Sequence, residues 1–155
     1  MPIINHKKAS LYNHTQGYDI ISDMNRGVDM VASTAGEWKQ DILRIYNAIN
    51  KQIFNVGVKQ QKVDFVGNKI VIISLNGRVP ILKLLDEDYP QSTRQLDYLL
   101  FQVFKREIKA ALERQFHLNI VAVLKDYDAE TEFSGTIVVL DRDVEQYLKE
   151  PSELR

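Results

Sequence analysis

The acidic residues at positions 126–132 are the part of this sequence that comes nearest to a metal site. Ca²⁺ binds clusters of carboxylate and carbonyl oxygens. An EF-hand loop starting at Asp126 would need a glycine and a closing glutamate where this sequence has Thr131 and Ile137. Alternating acids at a hairpin end are usually a solvated turn, so the metal hypothesis rests on three weak candidate ligands: Asp126, Asp128 and Glu130.

Other residue types offer less chemistry. The chain has three histidines, and no two of them have the helical spacing of a zinc site. There is no cysteine, which removes disulfides, thiolate nucleophiles and iron–sulfur clusters. The acidic run Asp86–Asp88 is typical of a solvated loop, and neither a glycine-rich phosphate loop nor a nucleophile elbow is present. We therefore expect no cofactor and no enzymatic activity.

Charge and hydropathy exclude further classes. Lysines and arginines number 20 against 21 aspartates and glutamates, so no global attraction to nucleic acid or anionic lipid is expected. The basic residues of the second long helix alternate with Glu107 and Glu113, which is typical of a solvated face. The longest apolar run, Ile70–Ile73, is too short to span a bilayer, and no signal peptide is recognisable. These patterns predict a cytoplasmic protein without a transmembrane segment.

The first half of the chain predicts a helix followed by a hairpin. Thr34 and Glu37 form a capping box for a helix over 35–54, with an isoleucine-rich stripe and with Gly57 ending the segment. Strands at 62–66 and 69–75 are joined by the two-residue turn Gly67-Asn68. Residues 78–91 are then expected to be a connection.

The second half repeats this order. A second helix is predicted to follow Pro90 and to reach Phe116, with a capping box from Ser92 and Gln95 and a left-handed stop at Asn119. Its apolar stripe begins at Leu96. Strands at 120–124 and 133–140 form the second hairpin, and 143–150 is a short last helix. Residues 34–150 are thus expected to be a single α+β domain, between an N-terminal arm (1–33) and a tail (151–155).

The predicted fold is αββ-αββ: a mainly antiparallel four-stranded sheet with two long helices on one face. Several strands are apolar on both faces, while two helices cover only one, so an apolar face is left over. The arm, the last helix or another subunit could cover it. The arm has apolar residues at helical spacing, and a homodimer or larger assembly is favoured. Candidate interface residues are Ile70, Ile72, Val121, Val123, Val139, Ile21, Met24 and Val28.

Three segments resemble one bacterial family. They are Asn55-Val56-Gly57 after the first helix, the strand and turn at 70–77, and the strand at 121–126, which is followed by Ile137-Val138-Val139-Leu140. Over residues 36–141 the chain is similar to a domain long listed as being of unknown function and later named the C component of a sodium-translocating, membrane-potential-generating system (MpsC-like). Val58 stands where that family has a turn proline.

The resemblance implies a non-enzymatic accessory protein that works with membrane ion or bicarbonate transport machinery, peripheral to the membrane through a partner. With the apolar second face, it predicts a protein that self-associates and binds a protein partner. The alternative is a regulatory module that senses a small ligand or binds nucleic acid.

Overall fold

Helix α1 (Ala35–Phe54) begins at the predicted capping box. The computed structural model describes residues 34–150. The Thr34 hydroxyl accepts from the Glu37 amide, and the Glu37 carboxylate accepts from the Thr34 amide. The helix ends at Phe54, as predicted, and the residue that follows it, Asn55, has a left-handed φ of 53°. Asparagine tolerates this conformation better than most residues because its short polar side chain can bond locally.

Helix α3 (Pro90–Phe116) runs antiparallel to α1. Trp38, in the first turns of α1, packs on Phe116 at the end of α3, with ring centroids 4.7 Å apart. Phe54, at the other end of α1, meets Phe101 at 6.3 Å. Because the contacts pair opposite ends, the two helices form one antiparallel layer.

Two predictions about the ends of α3 are wrong. The residue before the helix is Tyr89, which makes no side-chain cap, and Pro90 occupies the first turn, so Ser92 and Gln95 do not form a capping box. Proline suits that place because it lacks an amide hydrogen that would go unpaired. At the other end His117, with φ 54°, is the left-handed residue instead of Asn119.

Two hairpins form the sheet. Strands β1 (Val58–Val66) and β2 (Lys69–Asn76) are joined by a tight turn in which Gly67 has a φ of 56°. Strands β3 (Ile120–Tyr127) and β4 (Phe133–Leu140) form the second hairpin. The order is β1-β2-β4-β3 and every pairing is antiparallel, which confirms the predicted α+β class and sheet.

Within residues 34–150, helices cover one face of the sheet and no element packs on the other. Alternate residues of β2 and β4, such as Ile70, Ile72 and Val138, are fully buried under the helices. We call the opposite side the outer face. Its apolar residues include Ile73, Leu124 and Phe133, which are 45%, 55% and 53% exposed. Other apolar residues of this face are Val66, Val71, Leu75, Ala122, Ile137 and Val139.

A short helix interrupts the predicted connection. Helix α2 (Pro80–Leu85) starts at Pro80 and buries only Leu82. The first turns of α3 are also less buried than the sequence stripe predicts, because Leu96 and Leu99 are 43% and 52% exposed. We call the exposed apolar residues of these two helices the helix patch: Ile81, Leu84, Tyr89, Leu96, Tyr98 and Leu99.

The last helix, α4 (Val144–Lys149), closes the core. Its buried residues Val144 and Tyr147 join the same apolar cluster as α1 and α3, so it does not cover the outer face. Across residues 34–150 no helix has the length and hydropathy needed to cross a membrane. The predicted arm helix around Ile21, Met24 and Val28 lies outside the described residues.

Replacing Thr34 with alanine removes the side chain that caps α1. We expect the free energy of unfolding to fall by about 1 kcal/mol, as measured by urea denaturation. The matched control is Ser92→Ala in the first turns of α3, where the serine makes no cap. An equal loss in the two variants would contradict the assignment of the two helix starts.

Candidate functional site

A concavity lies where α1 ends above the sheet. We call it the pocket; its empty space is about 340 Å³, including the open mouth. Helix α1 supplies Asn50 and Phe54, helix α3 supplies Asp97 and Phe101, and the strands and the β2–α2 connection supply the remainder. The remaining lining residues are Val56, Asn76, Gly77, Arg78, Val79, Lys125, Tyr127 and Ser134.

Arg78 is the first of two cations in the pocket, and carboxylates neutralise it. Its Nε and Nη2 donate to the two oxygens of Asp86 at 2.8 Å each, and its Nη1 donates to both oxygens of Asp97 at 2.7 and 2.9 Å. The side chain is only 6% exposed. These bonds raise the pKa of Arg78 above its already high ordinary value, and they hold the pKa of Asp86 below its usual value. The guanidinium therefore joins α2 to α3.

Neighbouring residues fix the Arg78 backbone. Its amide donates to Glu132 Oε1 at 3.3 Å, and Glu132 Oε2 accepts from Lys59 at 2.6 Å. The Arg78 guanidinium lies 5.7 Å from the ring centroid of Tyr127. Burial is the main cause that raises the pKa of Tyr127 to about 12, so this phenol stays protonated at neutral pH.

Lys125 is the second cation, and its partners are neutral. Its Nζ donates to Ser134 Oγ at 2.8 Å, to Tyr46 Oη at 3.1 Å and to Thr136 Oγ1 at 3.5 Å. The ammonium also lies 4.3 Å from the ring centroid of Phe104. None of the ion pairs among residues 34–150 includes Lys125. A partly buried ammonium without a carboxylate partner is costly to desolvate.

A bulge in β3 turns Lys125 towards the core. The pairing with β4 shifts register between Ile120 and Ala122. Beyond that shift Val123 lies opposite Val138, and Lys125 opposite Thr136, on the covered face. Without the bulge, strict alternation from Ile120 would place Lys125 on the outer face. Sequence reasoning missed Lys125 for this reason.

The hydroxyl partners of Lys125 belong to a longer polar network. Tyr46 Oη lies 3.0 Å from Ser74 Oγ, which in turn accepts from Asn76 Nδ2 at 3.1 Å. The network ends at Asn76 Oδ1, a buried oxygen without a hydrogen-bond partner in the structure. The core under the end of α1 is therefore polar, and Asn76 Oδ1 is the group of this network that is left without a partner.

Burial is also the main influence on the two titratable groups of this network. It lowers the pKa of Lys125, while Tyr46 acts in the opposite direction. Burial acts to raise the pKa of Tyr46, but the positive charge of Lys125 and the surrounding hydroxyl groups outweigh it, so that pKa is lowered. Both shifts favour loss of a proton in the folded state.

The weak metal candidates stabilise a turn. The Asp126 carboxylate accepts from the Tyr127 amide, and Asp128 accepts from the Glu130 amide and the Thr131 hydroxyl. These bonds lower the pKa of Asp128. Within the described part of the chain, no three potential ligands lie close enough together to hold a metal ion.

The candidate interface residues are divided between the two faces. Ile70 and Ile72 are completely buried under the helices, and Val123 packs against the same core, so these three do not lie on the bare side of the sheet. Val139 lies on the outer face opposite Ala122. Val121, at the bulge, is 64% exposed.

The architecture is that of an αββ-αββ domain with a bare outer face and a polar pocket under the helices. A family model described as the Na⁺-translocating membrane potential-generating system (MpsC) matches residues 34–142, and the chain belongs to this family. The match confirms the resemblance over 36–141. No curated protein and no solved structure matches the chain.

Replacing Arg78 with methionine leaves Asp97 and Asp86 facing each other without a cation. We expect a loss of about 3 kcal/mol, the low end for a broken buried pair, because Asp86 keeps some contact with water. Urea unfolding measures the change. The control is Arg106→Met, which breaks an exposed pair with Glu107 and should cost at most about 0.5 kcal/mol. Equal losses would mean that the Arg78 pairs contribute little.

Replacing Lys125 with methionine should change how stability depends on pH. The unfolded chain keeps the ordinary lysine value of 10.5, so between the lowered folded pKa and 10.5 it binds more protons than the folded chain. The free energy of unfolding of the wild type therefore rises with pH in this window, and this rise should be smaller in Lys125→Met. The pKa of Tyr46 is also lowered in the folded state, so it changes stability with the same sign. The charge of Lys125 contributes to that lowering, so this effect should also shrink in the variant.

Urea unfolding of both proteins from neutral pH to 10.5 measures this difference. The other charged groups that act on Lys125 are Lys105 of α3 and Asp126 of its own strand, and both remain in the variant. Lys149→Met, at an exposed ion pair of α4, should follow the wild type. Parallel curves for wild type and Lys125→Met would contradict the lowered pKa.

Proposed function

We propose that this chain is a non-catalytic component of a Na⁺-translocating, membrane-potential-generating system, and that it acts by self-association and by binding a protein partner in that system. Membership of the MpsC family supports the setting. On this proposal the protein is cytoplasmic and reaches the membrane through its partner. Apart from Asn76 Oδ1, the polar groups of the pocket discussed above are engaged in a structural ion-pair cluster and a hydroxyl network, which supports a role without catalysis.

The outer face is the observation that carries self-association. Its apolar residues lie mainly on three neighbouring strands. Because strands are about 4.8 Å apart and these are about eight residues long, the three together cover roughly 14 by 26 Å in projection, or about 370 Å². The relief of the side chains adds to that area. Patches of this size on a soluble protein are commonly functional.

A second copy of this chain is the occupant that the outer face fits. Two such sheets pack face to face with their apolar side chains interdigitated. The margins of the face carry both signs of charge, with Lys62 and Asp64 on β1 and Asp126 on β3, so two copies can meet without net repulsion.

Light scattering of the full chain tests the dimer. We expect twice the mass of 17.9 kDa, and monomer mass for Leu124→Glu, which places a charge in the middle of the outer face. Leu84→Glu is the matched control: Leu84 is 73% exposed in the helix patch, so neither substitution disturbs the core. Monomeric wild type would overturn self-association, and dissociation by Leu84→Glu alone would move the interface to the helix patch.

The partner is tested by purifying the protein from its native source and identifying which membrane components of the ion-translocating system are purified with it. We expect a stoichiometric complex with one of those components. Recovery of the chain without any of them would contradict this part of the proposal.

A regulatory module is the second candidate, and the pocket favours its ligand-sensing form. The nucleic-acid form has less support. The basic residues of α3 are engaged locally, since Arg106 pairs with Glu107 and Lys109 donates to the Ile120 carbonyl oxygen at 2.6 Å.

A further inference from the structure

The two edges of the sheet are built in the same way. Among residues 34–150, β1 and β3 each have a neighbouring strand on one side only. Such an edge presents backbone donors and acceptors to which another extended chain can add as a further strand. The self-association proposed above joins the outer faces of two sheets, so it leaves both edges uncovered.

Each edge strand begins with its amide hydrogen-bonded to a side chain of the helix that precedes it. The Val58 amide of β1 donates to Asn47 Oδ1 of α1 at 3.2 Å. The Ile120 amide of β3 donates to Glu113 Oε1 of α3 at 3.3 Å, and the Ile120 carbonyl oxygen accepts from Lys109 at 2.6 Å. These backbone groups have partners within the chain, so an added strand could bond to them only by displacing those side chains.

A bulge follows the first residue of both edge strands. In β1 the register shifts between Val58 and Gln60. In β3 it shifts between Ile120 and Ala122. A bulge interrupts the regular ladder and increases the local twist, so an incoming strand cannot pair in a straight line past it.

The edge of β1 also carries charged side chains. Lys59, at the bulge, pairs with Glu132 at 2.6 Å, and Lys62 pairs with Asp64 at 2.9 Å. Charged side chains, lysine above all, are a common protection of an exposed edge, because an added strand would have to desolvate them.

The alternation of hydrogen bonds identifies the open amides of β3. The Asp128 amide donates to the Phe133 carbonyl oxygen at 2.9 Å. Alternation along this antiparallel pair then turns the amides of Val123, Lys125 and Tyr127 away from β4. The Tyr127 amide donates to the carboxylate of the preceding residue at 2.8 Å. The amides of Val123 and Lys125 are therefore the groups in the middle of this edge that an added strand would use.

The side chain of Lys125 makes such an addition unfavourable. It is half-buried, and its ammonium donates to three hydroxyl groups but belongs to none of the ion pairs among residues 34–150. A strand beside β3 would cover the surface that Lys125 still exposes, and removing a charge from water without a counter-ion is costly. An inward-facing charge on an edge strand is one of the ways in which native sheets avoid edge-to-edge pairing.

We propose that both edges of the sheet are closed to strand addition, and that Lys125 is the residue that closes the middle of the β3 edge. Of the surfaces of the sheet, only the outer face is then open to a second copy, so assembly through the sheet stops at a closed pair. This second statement rests on the proposed self-association. The first concerns the chain by itself, and it applies to any partner that would bind as an extended strand.

Lys125→Val tests the closure of β3. Valine has no charge and favours strands, and it extends the apolar run Ile120–Leu124 by one residue. In light scattering of the full chain, we expect this variant to grow with time and concentration to several times the mass of the wild type, which should not grow. Lys125→Arg keeps the charge and should behave as the wild type. Lys149→Val removes an exposed charge from α4 and controls for net charge.

Hydrogen exchange shows where any growth occurs. In the wild type, NMR should find that the amides of Val123 and Lys125 exchange at least about tenfold faster than the Leu124 amide, which faces β4. This measurement stands even if a variant fails to fold. In the larger species of Lys125→Val, the amides at positions 123 and 125 should become protected, while the amide of Ile72 in the central strand β2 stays protected.

Three results would overturn the inference. If the Val123 and Lys125 amides of the wild type are as protected as that of Leu124, this edge is already paired. If Lys125→Val keeps the mass of the wild type, the charge is not what closes the edge. If the variant grows while the Ile72 amide loses protection, unfolded chains aggregate and the edge is not involved. A monomeric wild type would contradict the proposed dimer alone, because the closure of the edges is judged by exchange and by growth of the variant.

Discussion

The layout of this domain depends on a mismatch in helix length. Helix α1 has 20 residues and α3 has 27. Because the two run antiparallel and Phe54 meets Phe101, α3 continues for about three turns beyond the end of α1. Among the described residues no long helix lies beside that extension, so its apolar residues remain exposed as part of the helix patch. Under the end of α1 the sheet is incompletely covered, and the pocket forms there.

The composition of the sheet changes where the cover ends. Under the middle of the helices, β2 and β4 present Ile70, Ile72 and Val138 to the core. At the next inward-facing positions the same face presents hydroxyl side chains, Ser74 on β2 and Thr136 and Ser134 on β4. All three are buried. Ser134 and Thr136 accept from Lys125, and Ser74 bonds to Tyr46, which is how a cation can be accommodated at this depth. The Arg78 cluster then joins the extension of α3 to the connection that follows β2.

Periodicity predicted the elements, and geometry determined the site. The αββ-αββ order, the antiparallel sheet and the capping box at Thr34 follow from spacing within short segments. The stop of α3 was less predictable because several residue types accept a left-handed φ, and His117 adopts it where Asn119 was expected. The pocket draws on residues from 50 to 134, and no local pattern brings these together.

The bulge in β3 shows why local alternation could not find the site. A single extra residue near Val121 reverses the face of every later residue in the strand, so Leu124 lies outward and Lys125 inward. The acidic run at 86–88 did contain a usable signal, since a buried arginine eight residues earlier needed a counter-ion. That signal has meaning only once α2 has folded the chain back on itself.

The same alternation makes the two surfaces of the sheet neighbours in sequence and opposites in space. Leu124 belongs to the outer face and Lys125 to the pocket, although one peptide bond joins them. A ligand in the pocket can affect a partner on the outer face only by moving β3 or β4 as a whole, because no side chain reaches both sides. Any such effect must be reciprocal. If a partner on the outer face changes the affinity of the pocket for its ligand, then the ligand changes the affinity of the outer face for that partner by the same factor.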